Sequence, residues 1–293
     1  MTGVNPVTLR AWERRYGLIR PQRTPKGHRL YTEQDVDLVR RILDLLGKGI
    51  PISRVRPLLT NAAQTTAGAA TPIADPWFDY QTRIIEAVAR YDERAADGAY
   101  NDALSLYPVE IVTRLLVLPL LRQLRERWRE RPASSAEEHF FNAYIRNKLG
   151  SRFHHQSAQA NGPKLIAACL PGEHSEVELL LFSLGALTRG YRIVLLGPNM
   201  PLPPLTEAVG RSGSCAIVLY GSLEPPPALI RSHLGALAQE AGVPIFVGGD
   251  IALRHRDALT IIGVHPLRAD LQTSIKQIDE VLAGEERATP KLT

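Results

Sequence analysis

Residues 2–31 read TGVNPVTLRAWERRYGLIRPQRTPKGHRLY, and this stretch decides the fold of the N-terminal region. Asn5 followed by Pro6 predicts a helix start, because an asparagine side chain caps the first amides and proline suits the first helical position. The helix expected over 6–16 is apolar on one side and mostly basic on the other. A basic helix of this kind is typical of proteins that place a helix in the DNA major groove.

The segment 21–31 that follows is also basic and has Gly27 at its tip, which predicts a hairpin-like loop. A second helix is expected near Thr32, because Thr32 and Asp35 have the spacing of a capping pair. A recognition helix followed by a basic wing would meet the groove and the flanking phosphates respectively. These two features support each other and predict a winged helix-turn-helix.

The charge distribution agrees with this interpretation. Residues 1–60 contain twelve Lys/Arg and five Asp/Glu, a balance of +7, whereas the rest of the chain has −2. At 44% apolar and 22% charged residues, the 293-residue chain has the composition of a globular protein. No apolar run approaches the roughly 18 residues that span a bilayer, and no signal-peptide core is evident. We therefore expect a cytoplasmic protein without a membrane partner.

The two cysteines, Cys169 and Cys215, lie within or beside apolar β-like runs. This placement argues against a disulfide framework and against a Cys-x-x-Cys metal site. Motifs for nucleotide binding, hydrolase nucleophiles and zinc proteases are absent, so we do not expect an enzyme. We expect no metal site.

Three regions follow from composition and periodicity, and they predict a multidomain α and α/β protein. Residues 1–60 form the winged helix-turn-helix, and the small, uncharged stretch 61–74 is a linker. Apolar residues at helical spacing predict a four-helix bundle over 75–161, which Pro119 interrupts. Alternating strand and helix lengths over 162–285 predict a flavodoxin/Rossmann-like parallel sheet whose ligand would lie at the carboxyl ends of the strands. Residues 286–293 form a tail.

The motif Asn5-Pro-Val-Thr-Leu-Arg-Ala-Trp-Glu-Arg-Arg-Tyr-Gly-Leu18, with Gly27-His-Arg-Leu-Tyr31, resembles the winged helix-turn-helix of the MerR family of transcription regulators. The resemblance covers about 58 residues and implies a sequence-specific, DNA-binding regulator of transcription. It places Thr8, Arg10 and Arg14 on the recognition helix in the major groove and Tyr16 near the backbone. The residues implied to hold phosphates are Arg15, Arg23, Lys26, His28 and Arg29.

Two features depart from the family pattern. Members of the family begin with a further helix ahead of this segment, whereas Met1 falls in the expected turn, and we interpret Met1 as a start assigned too late. Many members also dimerise through a long helix, but here the linker follows Leu59 directly. Dimerisation or higher assembly is therefore expected through the C-terminal domains.

The bundle and sheet resemble the cobalamin-binding module of light-sensing members of the family and of methionine synthase, over about 77–285. Trp128, followed after nine residues by Glu138-His139, matches the pattern that covers the upper face of the cofactor. Ser175 falls where the cobalt-ligating histidine is usual, so this ligand is expected to be replaced. His174 is one residue early and is a weak candidate.

The nucleotide-tail side of the module is expected near Ser222, Gly248 and Gly249, where Tyr220 would fill space meant for a small residue. The resemblance therefore leaves three possibilities open: cobalamin held without a protein histidine, another tetrapyrrole or small molecule, or no ligand, with the module as a platform for assembly. The expected partners are double-stranded promoter DNA and RNA polymerase, with the chain as a homo-oligomer. The alternatives are a corrinoid carrier of a methyltransferase and a DNA-bound scaffold without a ligand.

Overall fold

The computed structural model describes residues 2, 4–60, 75–130 and 135–288. These residues form two compact units, 1–141 and 142–293, and each is described by itself below. The expected linker 61–74 and most of the expected tail lie outside the described residues. The helical region predicted as one bundle is divided between the units, because its last helix contributes to both.

The N-terminal part of the first unit has the elements of a winged helix-turn-helix. They are α1 (Pro6–Ala11, continued by a π-helical turn over Trp12–Tyr16), β1 (Gln22–Arg23), β2 (Arg29–Leu30), α2 (Glu33–Gly47) and α3 (Ile52–Thr60). The Asn5 side chain accepts a hydrogen bond from the Val7 amide at 2.8 Å, as expected of a cap. At α2, Thr32 and Asp35 form a reciprocal capping box.

Further helices complete the unit and reach into the next one. They are α4 (Pro76–Ala89), α5 (Glu93–Leu106), α6 (Val109–Val112), α7 (Leu118–Glu130) and α8 (Ser135–Ser157). A π-helical turn over Thr113–Val117 joins α6 to α7, so the interruption expected near Pro119 takes this form. Pro119 has no amide for the Leu115 carbonyl, which accepts a hydrogen bond from Gln81 Nε2 instead, at 3.4 Å.

The second unit is a parallel sheet covered by helices. Its strands are β3 (Lys164–Cys169), β4 (Arg192–Gly197), β5 (Ala216–Tyr220), β6 (Ile245–Gly248) and β7 (His265–Pro266). Its helices are α9 (Val177–Thr188), α10 (Pro204–Ser212), α11 (Gly235–Glu240, preceded by a π-helical segment over Leu229–Leu234), α12 (Asp250–Arg254), α13 (Arg256–Ile261) and α14 (Leu271–Ala288). The strand order is β4-β3-β5-β6-β7, the flavodoxin-like arrangement.

The sheet has an apolar core on each face. Alternate residues of β3 belong to different cores: Ile166 and Ala168 to one, and Leu165, Ala167 and Cys169 to the other. Both faces are therefore buried, as expected of a parallel strand between two layers of helices. The predicted doubly covered parallel sheet is confirmed.

No helix in the described part of the chain combines the length and the apolar character that crossing a membrane requires.

Candidate functional site

The basic side of α1 is open to solvent. Arg10, Arg14 and Arg15 are exposed, and within the described residues none of them takes part in an ion pair. Arg10 and Arg14 are four residues apart, so they project from one face of the helix. Gly17 ends the helix in the left-handed conformation, with φ of 57°, and turns the chain toward the wing. Tyr16 is half-buried at this turn.

Thr8 requires a correction, because it does not lie on the exposed face of α1. It is only 1% exposed, and its hydroxyl donates a hydrogen bond to the Leu104 carbonyl of α5 at 3.4 Å. Trp12, one turn further, is fully buried and donates from Nε1 to the Leu106 carbonyl at 2.8 Å. The face of α1 that bears Thr8 therefore packs on α5, whereas the arginine face is open to solvent.

The wing is a short hairpin with its basic tip in solvent. Only two residue pairs form between β1 and β2, Gln22 with Leu30 and Arg23 with Arg29. At the tip, Gly27 has φ of 81°, and Lys26 and His28 on either side of it are exposed. Their exposure leaves both side chains open to solvent at the tip.

Two of the expected phosphate-binding arginines have another partner. Arg29 Nε donates to Glu13 Oε2 at 2.6 Å, and Arg23 Nη2 donates to Glu13 Oε1 at 3.2 Å. The hydrogen bond from Arg29 lowers the pKa of the Glu13 carboxyl, and the same contact raises the pKa of Arg29. Glu13 was not among the residues singled out from the sequence, because an acid on a basic helix gives no signal of its own.

In the bundle, the side chain of Trp128 is buried and not exposed at the surface. It is 7% exposed, and its ring centroid lies 6.1 Å from that of Phe141. Its indole Nε1 is buried and has no hydrogen-bond partner within the described residues. Glu138 is half-buried and His139 is exposed. A buried indole N–H without an acceptor is uncommon. A ligand that brings a hydrogen-bond acceptor could therefore bind beside Trp128.

In the second unit, the loop after β3 holds Ser175 within the protein. Its hydroxyl donates to Asn142 Oδ1 at 3.1 Å, its amide contacts Glu173 Oε1 at 3.3 Å, and its carbonyl accepts from the Cys169 thiol at 3.6 Å. His174 is exposed, so it does not take the place of Ser175. Burial raises the pKa of the Cys169 thiol, which therefore stays protonated.

Glu173 joins this loop to the loop after β5. Its Oε2 accepts hydrogen bonds from the amides of Ser222 and Leu223 at 2.7 and 3.3 Å. The Ser222 hydroxyl donates to Glu178 Oε2 at 3.0 Å. The amides of Ser175 and Ser222 thus bind the same buried carboxylate, that of Glu173, which the sequence does not single out.

The space between the ends of β5 and β6 is filled by Tyr220. A Cβ added to Gly248 would lie 2.5 Å from the Tyr220 ring, so the ring covers this glycine directly. The ring centroid is 5.4 Å from that of Phe182 on the other side. Gly249 has φ of 82° and packs against the Gly221 carbonyl, where a side chain would clash at 2.4 Å. The expected residues Gly248 and Gly249 thus lie against Tyr220 and Gly221.

Within the described residues, no group of three His, Cys, Asp or Glu side chains is arranged to hold a metal ion. Trp128, Glu138 and His139 belong to the first compact unit, and Ser175, Ser222, Gly248 and Gly249 belong to the second.

Comparison with known families gives two matches along the chain. Residues 1–62 match the family described as MerR HTH family regulatory protein. Residues 80–152 match the family described as B12 binding domain. The second match covers most of the bundle and reaches into α8.

Three similar curated proteins are transcriptional regulators. The HTH-type transcriptional repressor CarH of Myxococcus xanthus is 28% identical over 281 residues, 92% of this chain and 93% of that protein. The HTH-type transcriptional repressor CarA of the same organism is 30% identical over 266 residues, 90% of this chain and 88% of that protein. The HTH-type transcriptional regulator MlrA of Escherichia coli is 34% identical over 122 residues, 42% of this chain and 47% of that protein.

Among solved structures, the monomethylamine corrinoid protein of Methanosarcina barkeri has a similar fold. It aligns with a TM-score of 0.54 and 13% identity, over 70% of this chain and 99% of that chain. At this identity the similarity shows the fold alone. CarH and CarA, whose matches cover most of the chain, are regulators of transcription and not enzymes.

Proposed function

We propose, for a chain that belongs to the MerR family of helix-turn-helix transcription regulators, that α1 and the wing read one particular double-stranded DNA sequence. The observation that carries this proposal is the exposed row of Arg10, Arg14 and Arg15 on α1, which has no ion-pair partner within the described residues. An unpaired arginine on a recognition helix is available for bidentate bonds to guanine. The proposed base contacts are those of Arg10 and Arg14.

The phosphate contacts are assigned to the residues around this row. Arg15, at the end of α1, and Lys26 and His28, at the wing tip, are exposed cations or potential cations that face no acid within the described residues. Tyr16, which is half-buried at the end of the same helix, is assigned a backbone contact as a hydroxyl donor. Such contacts hold the protein on DNA without selecting a sequence, and their strength falls with salt.

Selection from a pool of randomised duplexes by the full-length chain tests this proposal. The chain is expected to enrich one sequence at physiological salt, and the enriched duplex should bind at least about a thousandfold more tightly than a scrambled one. Failure to enrich any sequence, with equal affinity for all duplexes, would overturn the assignment of sequence-specific reading.

For the C-terminal module, we propose that it does not hold cobalamin through a histidine. The residues at the corresponding positions do not fit the cofactor in that mode. Ser175 stands where the ligand would be and is bonded to Asn142, and Tyr220 fills the space over Gly248. At the same edge of the sheet, Glu173 in the loop after β3 accepts a hydrogen bond from the Ser222 amide in the loop after β5. We assign the module the role of a platform for assembly.

The absorption spectrum of the protein tests this assignment. Protein purified in the dark from its own host is compared with protein from a recombinant host supplied with adenosylcobalamin. Both should show aromatic absorption only. A corrin or other tetrapyrrole absorption band that co-purifies with the protein would overturn the assignment. Trp128, whose indole N–H has no partner within the described residues, would then contact that ligand together with Glu138 and His139.

The remaining partners follow from a role at promoters. The proposal includes RNA polymerase as the partner at the promoter, the cytoplasm as the place where the DNA is met, and a homo-oligomer formed through the C-terminal domains. Light scattering should give a mass that is a multiple of 32.4 kDa, whereas a mass of one chain at micromolar concentration would contradict assembly without DNA.

A further inference from the structure

The carboxylate of Glu13 lies between the recognition helix and the wing. Glu13 belongs to the π-helical turn that continues α1, whereas Arg23 is on β1 and Arg29 is on β2. Each carboxylate oxygen accepts from a different arginine, Oε2 from Arg29 at 2.6 Å and Oε1 from Arg23 at 3.2 Å. One side chain therefore joins α1 to both strands of the wing.

The two arginines need such a partner because they face each other. Arg23 and Arg29 are a directly opposed pair in the register of β1 and β2. Like charges opposite each other on neighbouring strands repel and destabilise the pairing. Because Glu13 accepts from both, it offsets this repulsion at the centre of the hairpin.

Apart from the contacts with Glu13, the wing has few interactions that fix its orientation relative to α1. Its ladder has two residue pairs, and a hairpin of this length is marginal by itself. Its apolar side chain Leu30 is 53% exposed, and Tyr31 after it is 38% exposed, so apolar burial contributes little. Glu13 and Arg29, in contrast, are both largely buried in their contact, at 19% and 22% side-chain exposure.

We propose that Glu13 is a positioning residue for DNA reading, which holds the wing at the angle to α1 that the specific duplex requires. This inference rests on the proposed reading of DNA by α1 and the wing. While Glu13 is bound, Arg23 and Arg29 brace the wing, and the wing tip contacts phosphates through Lys26 and His28. Once Glu13 is neutralised, both arginines are free to meet phosphates of any sequence.

Two substitutions separate this positioning role from a simple effect of charge. Glu13→Gln removes the negative charge, and Glu13→Asp keeps it but shortens the side chain by one methylene, so that it no longer spans both arginines. The full-length variants are titrated against the duplex that the wild type selects and against a scrambled duplex of equal length, over a range of salt. The readout is the ratio of the two affinities.

We expect Glu13→Gln to bind the scrambled duplex more tightly and the selected duplex less tightly, with the ratio reduced about tenfold or more. Its salt slope on the scrambled duplex should steepen by about one to two units, since each added phosphate contact contributes about 0.9. Glu13→Asp should also lose discrimination, although its charge is unchanged.

Asp37→Asn is the matched control. It breaks an exposed ion pair with Arg40 in the same region, 2.9 Å long, and removes one negative charge, but it does not touch the wing. Its ratio of affinities should equal that of the wild type. Exposed ion pairs contribute little to stability, so this control should melt at the wild-type temperature.

The outcomes distinguish the inference from the function on which it rests. If the wild type selects a duplex and both Glu13 variants discriminate as well as the control does, Glu13 does not position the wing and the inference is wrong. If the wild type selects no duplex, the proposed reading of DNA itself fails.

Discussion

At the scale of single residues, Tyr220 fills space at the carboxyl end of the parallel sheet. Its ring occupies the space over Gly248, at a distance that leaves no room for a methyl group. The sequence alone predicts that Tyr220 is too large for its position, because the resemblance expects a small residue there. The role of Glu173 is different: its bonds to the Ser222 and Leu223 amides depend on how two loops fold toward each other, and no local pattern contains this information.

A double-mutant cycle tests whether Tyr220 fills this space. Gly248→Ala should destabilise the full-length protein by about 1 to 3 kcal/mol through overpacking against the ring. In a Tyr220→Leu background, which lacks the ring atoms, the same change should cost about 0.5 kcal/mol or less. Urea denaturation followed by circular dichroism measures both. Equal costs in the two backgrounds would show that Tyr220 is not what Gly248 faces.

At the scale of secondary-structure elements, the N-terminal helices are predicted well because their signals are local. The Asn5 cap, the Thr32–Asp35 capping box and the glycine at the wing tip are each determined by residues a few positions apart. The packing of α1 on α5 is not predictable in this way, since it joins residues nearly a hundred positions apart. This is why Thr8 was expected on the DNA and lies instead against the Leu104 carbonyl.

The contact between α1 and α5 can be weakened without touching the basic face. Trp12→Phe keeps an apolar ring but removes the N–H that bonds the buried Leu106 carbonyl, at a cost of about 1 to 3 kcal/mol. Because α1 as a whole is loosened, affinity for selected and scrambled duplexes should fall together. Phe78→Ala, at a side chain that is 68% exposed, is the control and should change neither stability nor binding. A change in discrimination alone would contradict this account of Trp12.

A second contact, between α3 and Tyr107 of the bundle, should make the stability of the protein depend on pH. The first amide of α3, at Ile52, donates to the Tyr107 hydroxyl oxygen at 3.4 Å, and burial raises the pKa of Tyr107 to about 12. A group that holds its proton more tightly when folded stabilises the protein fully below its unfolded pKa of about 10 and loses this contribution as pH rises toward 12.

Urea midpoints of the wild type should therefore fall between pH 10 and 12. Tyr107→Phe should show a smaller fall over this range, after a loss of about 1 kcal/mol at pH 7 for the missing acceptor. Burial also raises the pKa values of Tyr80, Tyr191, Tyr220 and the Cys169 thiol, and these groups contribute to the alkaline loss in both proteins. The same fall in both proteins would show that Tyr107 does not titrate in this way.

At the scale of the whole molecule, the excess of positive charge and the parallel sheet lie in different parts of the chain. The excess of positive charge lies in residues 1–60, where the helix and wing are found. The alternation of apolar runs and helices predicts the parallel sheet and four of its strands, because each run is long enough to be recognised. The fifth strand, His265–Pro266, is two residues long and gives no such signal. The order of strands follows only from the structure.

In the proposed mode of binding, α1 discriminates between DNA sequences while the wing holds DNA of any sequence. The most direct test compares Arg10→Ala and Lys26→Ala on the selected and scrambled duplexes over a range of salt. Arg10→Ala should lose about 1 to 3 kcal/mol of discrimination. Lys26→Ala should weaken binding to both duplexes equally and flatten the salt slope by about one unit. If both variants bind both duplexes as the wild type does, α1 and the wing are not the surface that reads DNA.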